Sequence, residues 1–180
     1  VAGGTPSNVM GHLAAGDRLQ VAWRTGIGTG GSQRRPLLTT PIVADGRVYA
    51  SDATAEITAL DAATGRTVWR ADARPPRNRG SLLGAGLGYA DGRVFVATGL
   101  AEVMAFDAAS GAEIWRTPLP TPTRGALTVA DGRVIVLTVE GQLLAFSTET
   151  GEREWSYRGP AETTTLLGAP APAVDDGMVL

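Results

Sequence analysis

The sequence lacks several residue types on which enzyme sites depend. None of its 180 residues is cysteine, all 16 basic side chains are arginine, and His12 is the only histidine. Without cysteine there is no disulfide, no thiolate metal ligand and no cysteine nucleophile. Without lysine there is no Schiff base, and a single histidine leaves no second imidazole to activate a nucleophile. These absences remove thiolate, Schiff-base and histidine-activated nucleophile chemistry from the functions that the chain could carry.

The chain also lacks a charge bias and a long apolar run. Its formal net charge is -2 and its pI is about 5.4, so no electrostatic footprint for nucleic acid or an anionic membrane surface is present. The sequence contains no stretch of about 18 apolar residues, the length that a helix needs to cross a bilayer. The sequence opens at Val1 without a charged and then apolar leader. We expect either that a leader was removed or that the sequence begins inside a longer protein.

One motif occurs three times and organises the rest of the chain. The copies are Ala-Leu-Asp-Ala-Ala-Thr-Gly-Arg-Thr-Val-Trp at 59–69, Ala-Phe-Asp-Ala-Ala-Ser-Gly-Ala-Glu-Ile-Trp at 105–115 and Ala-Phe-Ser-Thr-Glu-Thr-Gly-Glu-Arg-Glu-Trp at 145–155. Each copy places a glycine four residues before a tryptophan, namely Gly65, Gly111 and Gly151 before Trp69, Trp115 and Trp155. Trp23 lies 46 residues before the first of these tryptophans. A repeat of this length is typical of solenoids and propellers.

Each repeat has the turn chemistry of a four-stranded antiparallel unit. Asp-Gly-Arg-Val stands at 45–48, 91–94 and 131–134, in each case between apolar runs. Asp-Gly in that setting predicts a type I′ hairpin. The strand that follows is almost wholly apolar, so we expect it to be buried on both faces. Adding a third strand and the tryptophan strand gives one blade, so the fold class is all-β, a β-propeller of four-stranded antiparallel blades.

The repeats set the expected domain boundaries. Residues 1–17 form an irregular N-terminal lead-in, and residues 18–180 form a partial β-propeller. Its expected parts are a terminal strand of a truncated blade at 18–25, blades at 37–73, 82–118 and 123–158, and the start of the next blade at 166–180. These units do not close a ring, and an open array leaves apolar blade faces uncovered. We therefore expect an incomplete propeller, a piece of a longer protein, that could self-associate through its open blade faces.

The polar candidates for chemistry have structural explanations. Asp61 and Asp107 occupy the same turn of two repeats, where the third has Ser147, so we interpret them as turn residues. The glycine-rich segment 26–31 could cradle phosphate only before a helix N-terminus, and no helical pattern follows it. The cationic cluster at 74–79 could contact lipid headgroups or an acidic partner, or it could be a solvated loop.

The pattern Ala-x-Asp-x-x-Thr-Gly-x-x-x-Trp, together with Leu-Leu-Thr-Thr-Pro-Ile-Val-Ala-Asp-Gly-Arg-Val-Tyr at 37–49, carries a family resemblance. It resembles the repeat of the quinoprotein (PQQ-like) propellers and, within them, the BamB family of outer-membrane assembly lipoproteins. The resemblance covers nearly all of the chain and implies an eight-bladed ring, of which this chain would be roughly half. It also implies that the repeated tryptophans dock against the neighbouring blade and are structural, as are the glycines before them.

The resemblance further implies a non-enzymatic scaffold, with no catalytic residue, no cofactor and no metal site, that is lipid-anchored to the periplasmic face of the bacterial outer membrane. Such a scaffold binds the central barrel-assembly subunit, and unfolded barrel strands are a further possible partner. Neither nucleic acid nor a small-molecule substrate is expected. The family's contact loop has the form Leu-x-Leu-Arg-Gly, and Thr-Thr-Leu-Leu-Gly occupies that place at 164–168. The expected partner-binding residues are therefore Thr164, Leu166, Leu167 and Gly168, although the arginine, with its charge and its donors, is missing.

Two alternatives remain open at this point. Quinoprotein dehydrogenases share the repeat, and they resemble one another in a vicinal cysteine pair, a catalytic aspartate and Glu/Asn calcium ligands. This chain has no cysteine. A fragment of such an enzyme propeller is the first alternative, and the sensor propeller of a larger signalling protein is the second.

Overall fold

The computed structural model describes residues 20–28, 39–75, 85–123, 126–159, 171–175 and 177–179. All regular structure in these ranges is β-strand. No helix there has the length and apolar character needed to cross a membrane. The strands are β1 Ile42–Ala44, β2 Arg47–Ser51, β3 Glu56–Asp61, β4 Thr67–Asp72, β5 Ala85–Ala90, β6 Arg93–Thr98, β7 Glu102–Asp107, β8 Glu113–Pro118, β9 Thr128–Ala130, β10 Arg133–Leu137, β11 Gln142–Ser147, β12 Arg153–Arg158, β13 Val174–Asp175 and β14 Met178–Val179.

These strands form three four-stranded antiparallel sheets and one hairpin. Strands β1 to β4 form blade 1, β5 to β8 form blade 2, and β9 to β12 form blade 3, each in the order of the sequence. Strands β13 and β14 pair as a separate two-stranded sheet. The predicted all-β architecture of four-stranded antiparallel blades is confirmed.

The Asp-Gly hairpins join the first two strands of each blade. Asp45 and Gly46 have φ values of 46° and 70°, and the equivalent pairs in blades 2 and 3 repeat this geometry. A type I′ turn requires positive φ at both central residues, and aspartate and glycine tolerate it with little strain. The hairpins therefore have the backbone that the sequence predicts.

The core lies between blades rather than within a single sheet. One buried cluster joins Tyr49, Ile57 and Trp69 of blade 1 to residues of blade 2 that include Val96 and Phe106. A second cluster joins blade 2 to blade 3 in the same way. The middle strands of blade 2, β6 and β7, place residues in both clusters and therefore pack on both faces, as their apolar sequence predicts.

The inner strands approach one another closely. A Cβ built on Gly88 of β5 would lie 2.2 Å from Leu127 Cδ1 and 2.7 Å from Val129 Cγ2. Only a residue without a side chain fits there, which explains the glycine in this innermost strand.

The segment predicted as a terminal strand, residues 18–25, is described from residue 20 onward. Residues 20–28 carry no strand pairing in the described part of the chain. A strand needs a hydrogen-bonded neighbour, and blade 1 is already complete with four. This segment nevertheless contacts blade 1 through Trp23, as described below.

Candidate functional site

Three of the four tryptophans, Trp23, Trp69 and Trp115, reach the turn between the third and fourth strands of the blade that follows them. Trp69 Nε1 donates a hydrogen bond to Ala108 O at 2.9 Å. Trp115 Nε1 donates to Thr148 O at 3.1 Å in the same relation. Trp23 Nε1 donates to Ala62 O at 3.0 Å. We call this contact between an indole and a turn the blade latch.

The glycine of the repeated motif makes room for the indole. A Cβ on Gly111 would lie 2.7 Å from two ring atoms of Trp69, and a Cβ on Gly151 would lie 2.5 Å from two ring atoms of Trp115. Gly65 stands in the same relation to Trp23, at 2.5 Å. All three glycines have a positive φ, between 69° and 76°. Both the close approach and the backbone angle therefore require glycine.

Each turn is held in shape before it receives the indole. Thr64 donates to Asp61 Oδ1 from its backbone N at 2.8 Å and from its hydroxyl at 2.6 Å. These hydrogen bonds lower the pKa of Asp61 below its ordinary value, and Ser110 lowers the pKa of Asp107 in the same way. Both carboxylates are therefore occupied within their turns. Their arrangement is that of a turn residue rather than of a general base.

The carbonyl that receives the indole also receives side chains from the second strand of the preceding blade. Arg47 Nη1 donates to Ala108 O, and Tyr49 Oη lies 3.5 Å from the same oxygen. At the next junction Arg93 Nη1 lies 3.5 Å from Thr148 O. The arginine of Asp-Gly-Arg-Val is thus a second donor of the latch.

Two threonine hydroxyls make further contacts that the sequence analysis does not predict. Thr117 Oγ1 donates to Gly151 O at 2.7 Å, and Thr25 Oγ1 donates to Gly65 O at 2.6 Å. A threonine two residues after the tryptophan was the available signal. The corresponding residue of blade 1 is Ala71. A threonine latch is therefore absent from the described junction between blades 1 and 2.

The junction between blades 1 and 2 has a contact between a tyrosine and an aspartate instead. Tyr89 Oη donates to Asp45 Oδ2 across the two blades, and its ring stacks on Tyr49 with centroids 5.7 Å apart. Burial, followed by the nearby Asp45 carboxylate, raises the pKa of Tyr89 to about 12. The equivalent residues of the other blades are Val43 and Val129, so no repeated signal pointed to this tyrosine.

The remaining predicted residues divide between described and undescribed parts of the chain. Trp155 lies on β12, half-buried, with no hydrogen-bond acceptor for its indole in the described ranges. Arg74 pairs with Asp72, its Nη2 lying 2.5 Å from Oδ2. The rest lie outside the described residues: His12, Arg77, Arg79, Thr164, Leu166, Leu167 and Gly168.

The acidic side chains of the described residues form no metal-binding cluster, and those of the repeated turns are engaged within the turns. Within the described ranges, no three His, Asp or Glu side chains form a group that could hold a metal ion. Asp61 and Asp107 already accept hydrogen bonds within their own turns. The repeated motif therefore serves as a packing contact between blades.

Two family models match the sequence. One is described as "Outer membrane protein assembly factor BamB" and matches residues 53–180, which is most of the chain. The other is described as "Glucose/ethanol/alcohol dehydrogenase, beta-propeller domain" and matches residues 14–90. A comparison with curated proteins found no match.

Solved structures with the same blade arrangement come from both classes. Quinohemoprotein alcohol dehydrogenase from Comamonas testosteroni is 29% identical over 68% of this chain and 21% of that chain, with a TM-score of 0.60. BamB from Moraxella catarrhalis is 21% identical over 70% of this chain and 38% of that chain, with a TM-score of 0.57. The computationally designed Ika4 protein is 14% identical over 86% of this chain and 91% of that chain, with a TM-score of 0.63. The chain thus spans about a fifth of the dehydrogenase and less than half of BamB.

Proposed function

The chain belongs to the PQQ_2 family of β-propeller proteins, described as outer membrane protein assembly factor BamB, and from this premise we propose that it is a non-enzymatic binding subunit of the machinery that assembles outer-membrane proteins. In this role it holds protein partners at the periplasmic face of the bacterial outer membrane. Its activity is binding rather than turnover. The observation that carries the proposal is the family match, which covers all three repeated motifs.

The use of the repeated residues supports this role. The tryptophans at 23, 69 and 115, the turn glycines and the turn aspartates are all engaged in contacts between blades or within turns. Residues that repeat around a propeller hold it together, so binding specificity falls to residues that do not repeat. The loop at 164–168, with Leu166 at its centre, is the proposed contact with the central barrel-assembly subunit.

The outer strands offer a second mode of binding. Strands β4 and β8 lie at the edges of their sheets, and each exposes an apolar side chain, Val68 at 45% and Ile114 at 43%. An edge strand presents unpaired N–H and C=O groups to which an extended chain can add as a further strand. Unfolded barrel strands are extended and apolar on alternate residues, so they suit such an edge.

Affinity capture tests the proposed partner loop. The tagged 180-residue chain is incubated with the purified central barrel-assembly subunit, and the captured fraction is measured. We expect capture by the wild-type chain and a loss of at least tenfold for Leu166→Glu, because a charge in an apolar contact carries a large desolvation cost. Val43→Glu, at an exposed position of β1, is the matched control and is expected to capture the subunit as the wild type does. Equal capture by Leu166→Glu would reject this loop as the contact.

A second candidate is part of a quinoprotein dehydrogenase. It is favoured by the dehydrogenase propeller model at residues 14–90 and by the 29% identity to the Comamonas testosteroni enzyme. Reconstitution with the quinone, calcium and an artificial electron acceptor separates the two proposals. We expect no turnover of primary alcohols above the rate without protein. Reproducible turnover that depends on the quinone would overturn the binding role.

A further inference from the structure

Three aromatic side chains form a continuous stack at the junction between blades 1 and 2. The rings of Trp69 and Tyr49 have centroids 5.9 Å apart, and the rings of Tyr49 and Tyr89 have centroids 5.7 Å apart. Trp69 and Tyr49 are buried, whereas Tyr89 is half-buried. The stack therefore joins a buried indole to a phenol that solvent can reach.

The members of the stack differ in the groups that could take a proton from them. Trp69 Nε1 donates to a backbone carbonyl, which is not a base at neutral pH. Tyr49 Oη lies 3.5 Å from the same carbonyl oxygen and beside the Arg47 guanidinium, which is already fully protonated. Tyr89 Oη donates to the Asp45 carboxylate. Among the described contacts of the stack, the proton acceptor thus lies at Tyr89.

The junction between blades 2 and 3 provides a comparison within the same chain. Phe95 packs on Trp115 with centroids 6.0 Å apart, much as Tyr49 packs on Trp69. The residue at the position of Tyr89 is Val129. The ring packing is kept at this junction without either phenol. The hydroxyl groups at the first junction are therefore not needed for one blade to pack on the next.

We propose that the stack carries a one-electron oxidation from Trp69 to Tyr89. An external one-electron oxidant, of the class of small inorganic radicals, first removes one electron from the indole. An electron then passes from Tyr89 through the Tyr49 ring to the indole radical cation, and the phenol proton passes to the Asp45 carboxylate. The products are an intact Trp69, a neutral Tyr89 phenoxyl radical and a protonated Asp45.

Burial and the position of the carboxylate set the direction of this transfer. A positive charge on a buried ring carries a large desolvation cost, and the transfer replaces that charge and the carboxylate by neutral groups. A solute reductant such as ascorbate then returns one electron to the half-buried Tyr89, and Asp45 returns the proton. The indole of the blade latch is preserved by this sequence. The route is separate from partner binding, so it holds whether or not the chain acts in outer-membrane assembly.

Pulse radiolysis of the 180-residue chain with the azide radical tests the transfer. The azide radical removes an electron from tryptophan, and the absorbance bands of the indole and phenoxyl radicals are then followed in time. The parent for these measurements is Tyr157→Phe, in which Tyr49 and Tyr89 are the remaining tyrosines. We expect the indole radical to decay as the phenoxyl radical grows, at a rate that does not depend on protein concentration.

Four variants of this parent identify the route. Tyr89→Phe and Trp69→Phe are each expected to lose the concentration-independent growth of the phenoxyl radical. Asp45→Asn keeps the hairpin, because asparagine tolerates positive φ, but it cannot take the proton and is expected to slow the growth severalfold. Trp115→Phe is the matched control and is expected to keep the growth rate of the parent. Far-ultraviolet circular dichroism verifies that each variant is folded.

Three outcomes would overturn the proposal. They are undiminished phenoxyl growth in Tyr89→Phe, a growth rate in the parent that rises with protein concentration, and equal loss of growth in Trp69→Phe and Trp115→Phe. A growth rate unchanged by Asp45→Asn would overturn the assignment of Asp45 as the proton acceptor.

Discussion

The most specific consequence of the blade latch concerns Gly111, where a single methyl group meets the indole of the preceding blade. In Gly111→Ala the new Cβ would lie 2.7 Å from Trp69 Cδ2 and Cε3, and the backbone would remain at a φ of 76°. Only 8% of the surface of Trp69 is exposed, so the ring has little room to move away. The change therefore combines backbone strain with overpacking at one junction.

Gly92→Ala separates these two costs. Gly92 has a φ of 72°, close to that of Gly111, but no heavy atom lies within 4 Å of a Cβ built on it. An alanine at positive φ costs about 1–2 kcal/mol. Overpacking against a buried ring adds about 1–3 kcal/mol. We therefore expect Gly111→Ala to lower the free energy of unfolding by about 2–5 kcal/mol and Gly92→Ala by about 1–2 kcal/mol.

Urea denaturation followed by far-ultraviolet circular dichroism measures both variants. The far-ultraviolet signal reports strand content and does not depend on the environment of one tryptophan. The difference between the two variants is the energy of the indole contact. Equal losses of stability in Gly111→Ala and Gly92→Ala would refute the argument that the glycine is required by the latch as well as by its φ.

Three further predictions use the same assay. Trp69→Phe removes the donor to Ala108 O and is expected to lower the free energy of unfolding by about 1 kcal/mol or more. Trp155→Phe loses no described hydrogen bond and is expected to stay within about 0.5 kcal/mol of the wild type. A larger loss in Trp155→Phe would contradict this expectation. Because the pKa of Tyr89 is raised from 10.0 to about 12, its neutral form stabilises the fold fully below pH 10, and this contribution is lost as the pH rises from 10 to 12. Tyr89→Phe should therefore lose less stability than the wild type between pH 10 and 12, and parallel pH profiles would count against the contact with Asp45. Arg116→Ala leaves Glu102 without its 2.6 Å partner at a side-chain exposure of 18% and is expected to cost about 1–3 kcal/mol. Arg70→Ala removes a half-exposed guanidinium that lies 3.8 Å from Glu56 and should cost less than about 0.5 kcal/mol, so the reverse order would contradict this assignment.

The sequence predicts those parts of the fold that repeat. Asp-Gly-Arg-Val fixes the hairpin of each blade because few residues other than aspartate, asparagine and glycine accept two successive positive φ angles. The motif from Ala59 to Trp69 predicts a turn followed by an outer strand for the same reason, since it carries a glycine at a fixed place. The number of blades in the described ranges follows directly from counting these motifs.

The contacts made by single, non-repeated residues could not be predicted in this way. Tyr89 occupies a position where the other blades have valine, so only the packed structure shows that its hydroxyl reaches Asp45 of the neighbouring blade. The arginine that is the second donor of the blade latch could not be predicted for a different reason. Arg47 repeats as Arg93 and Arg133, but a hairpin arginine is as often solvated as bound, and the choice depends on which blade lies beside it.

The segment at 20–28 makes the side-chain contact that its sequence predicts but has no strand pairing in the described part of the chain. Its alternation predicts a strand, and Trp23 does make the latch contact expected of a tryptophan strand, with Nε1 at 3.0 Å from Ala62 O. The backbone of the segment nevertheless pairs with no strand in the ranges that the structure describes. A side-chain contact can therefore be retained where the backbone ladder is absent.

Hydrogen exchange at the four indole N–H groups tests most directly the claim that the repeated motif joins blades. The account predicts slow exchange for Trp69 and Trp115, measurable protection for Trp23, and fast exchange for Trp155, because only the first three donate to turn carbonyls at 2.9–3.1 Å. Equal exchange rates for all four indoles, or a Trp155 indole more protected than that of Trp69, would contradict it.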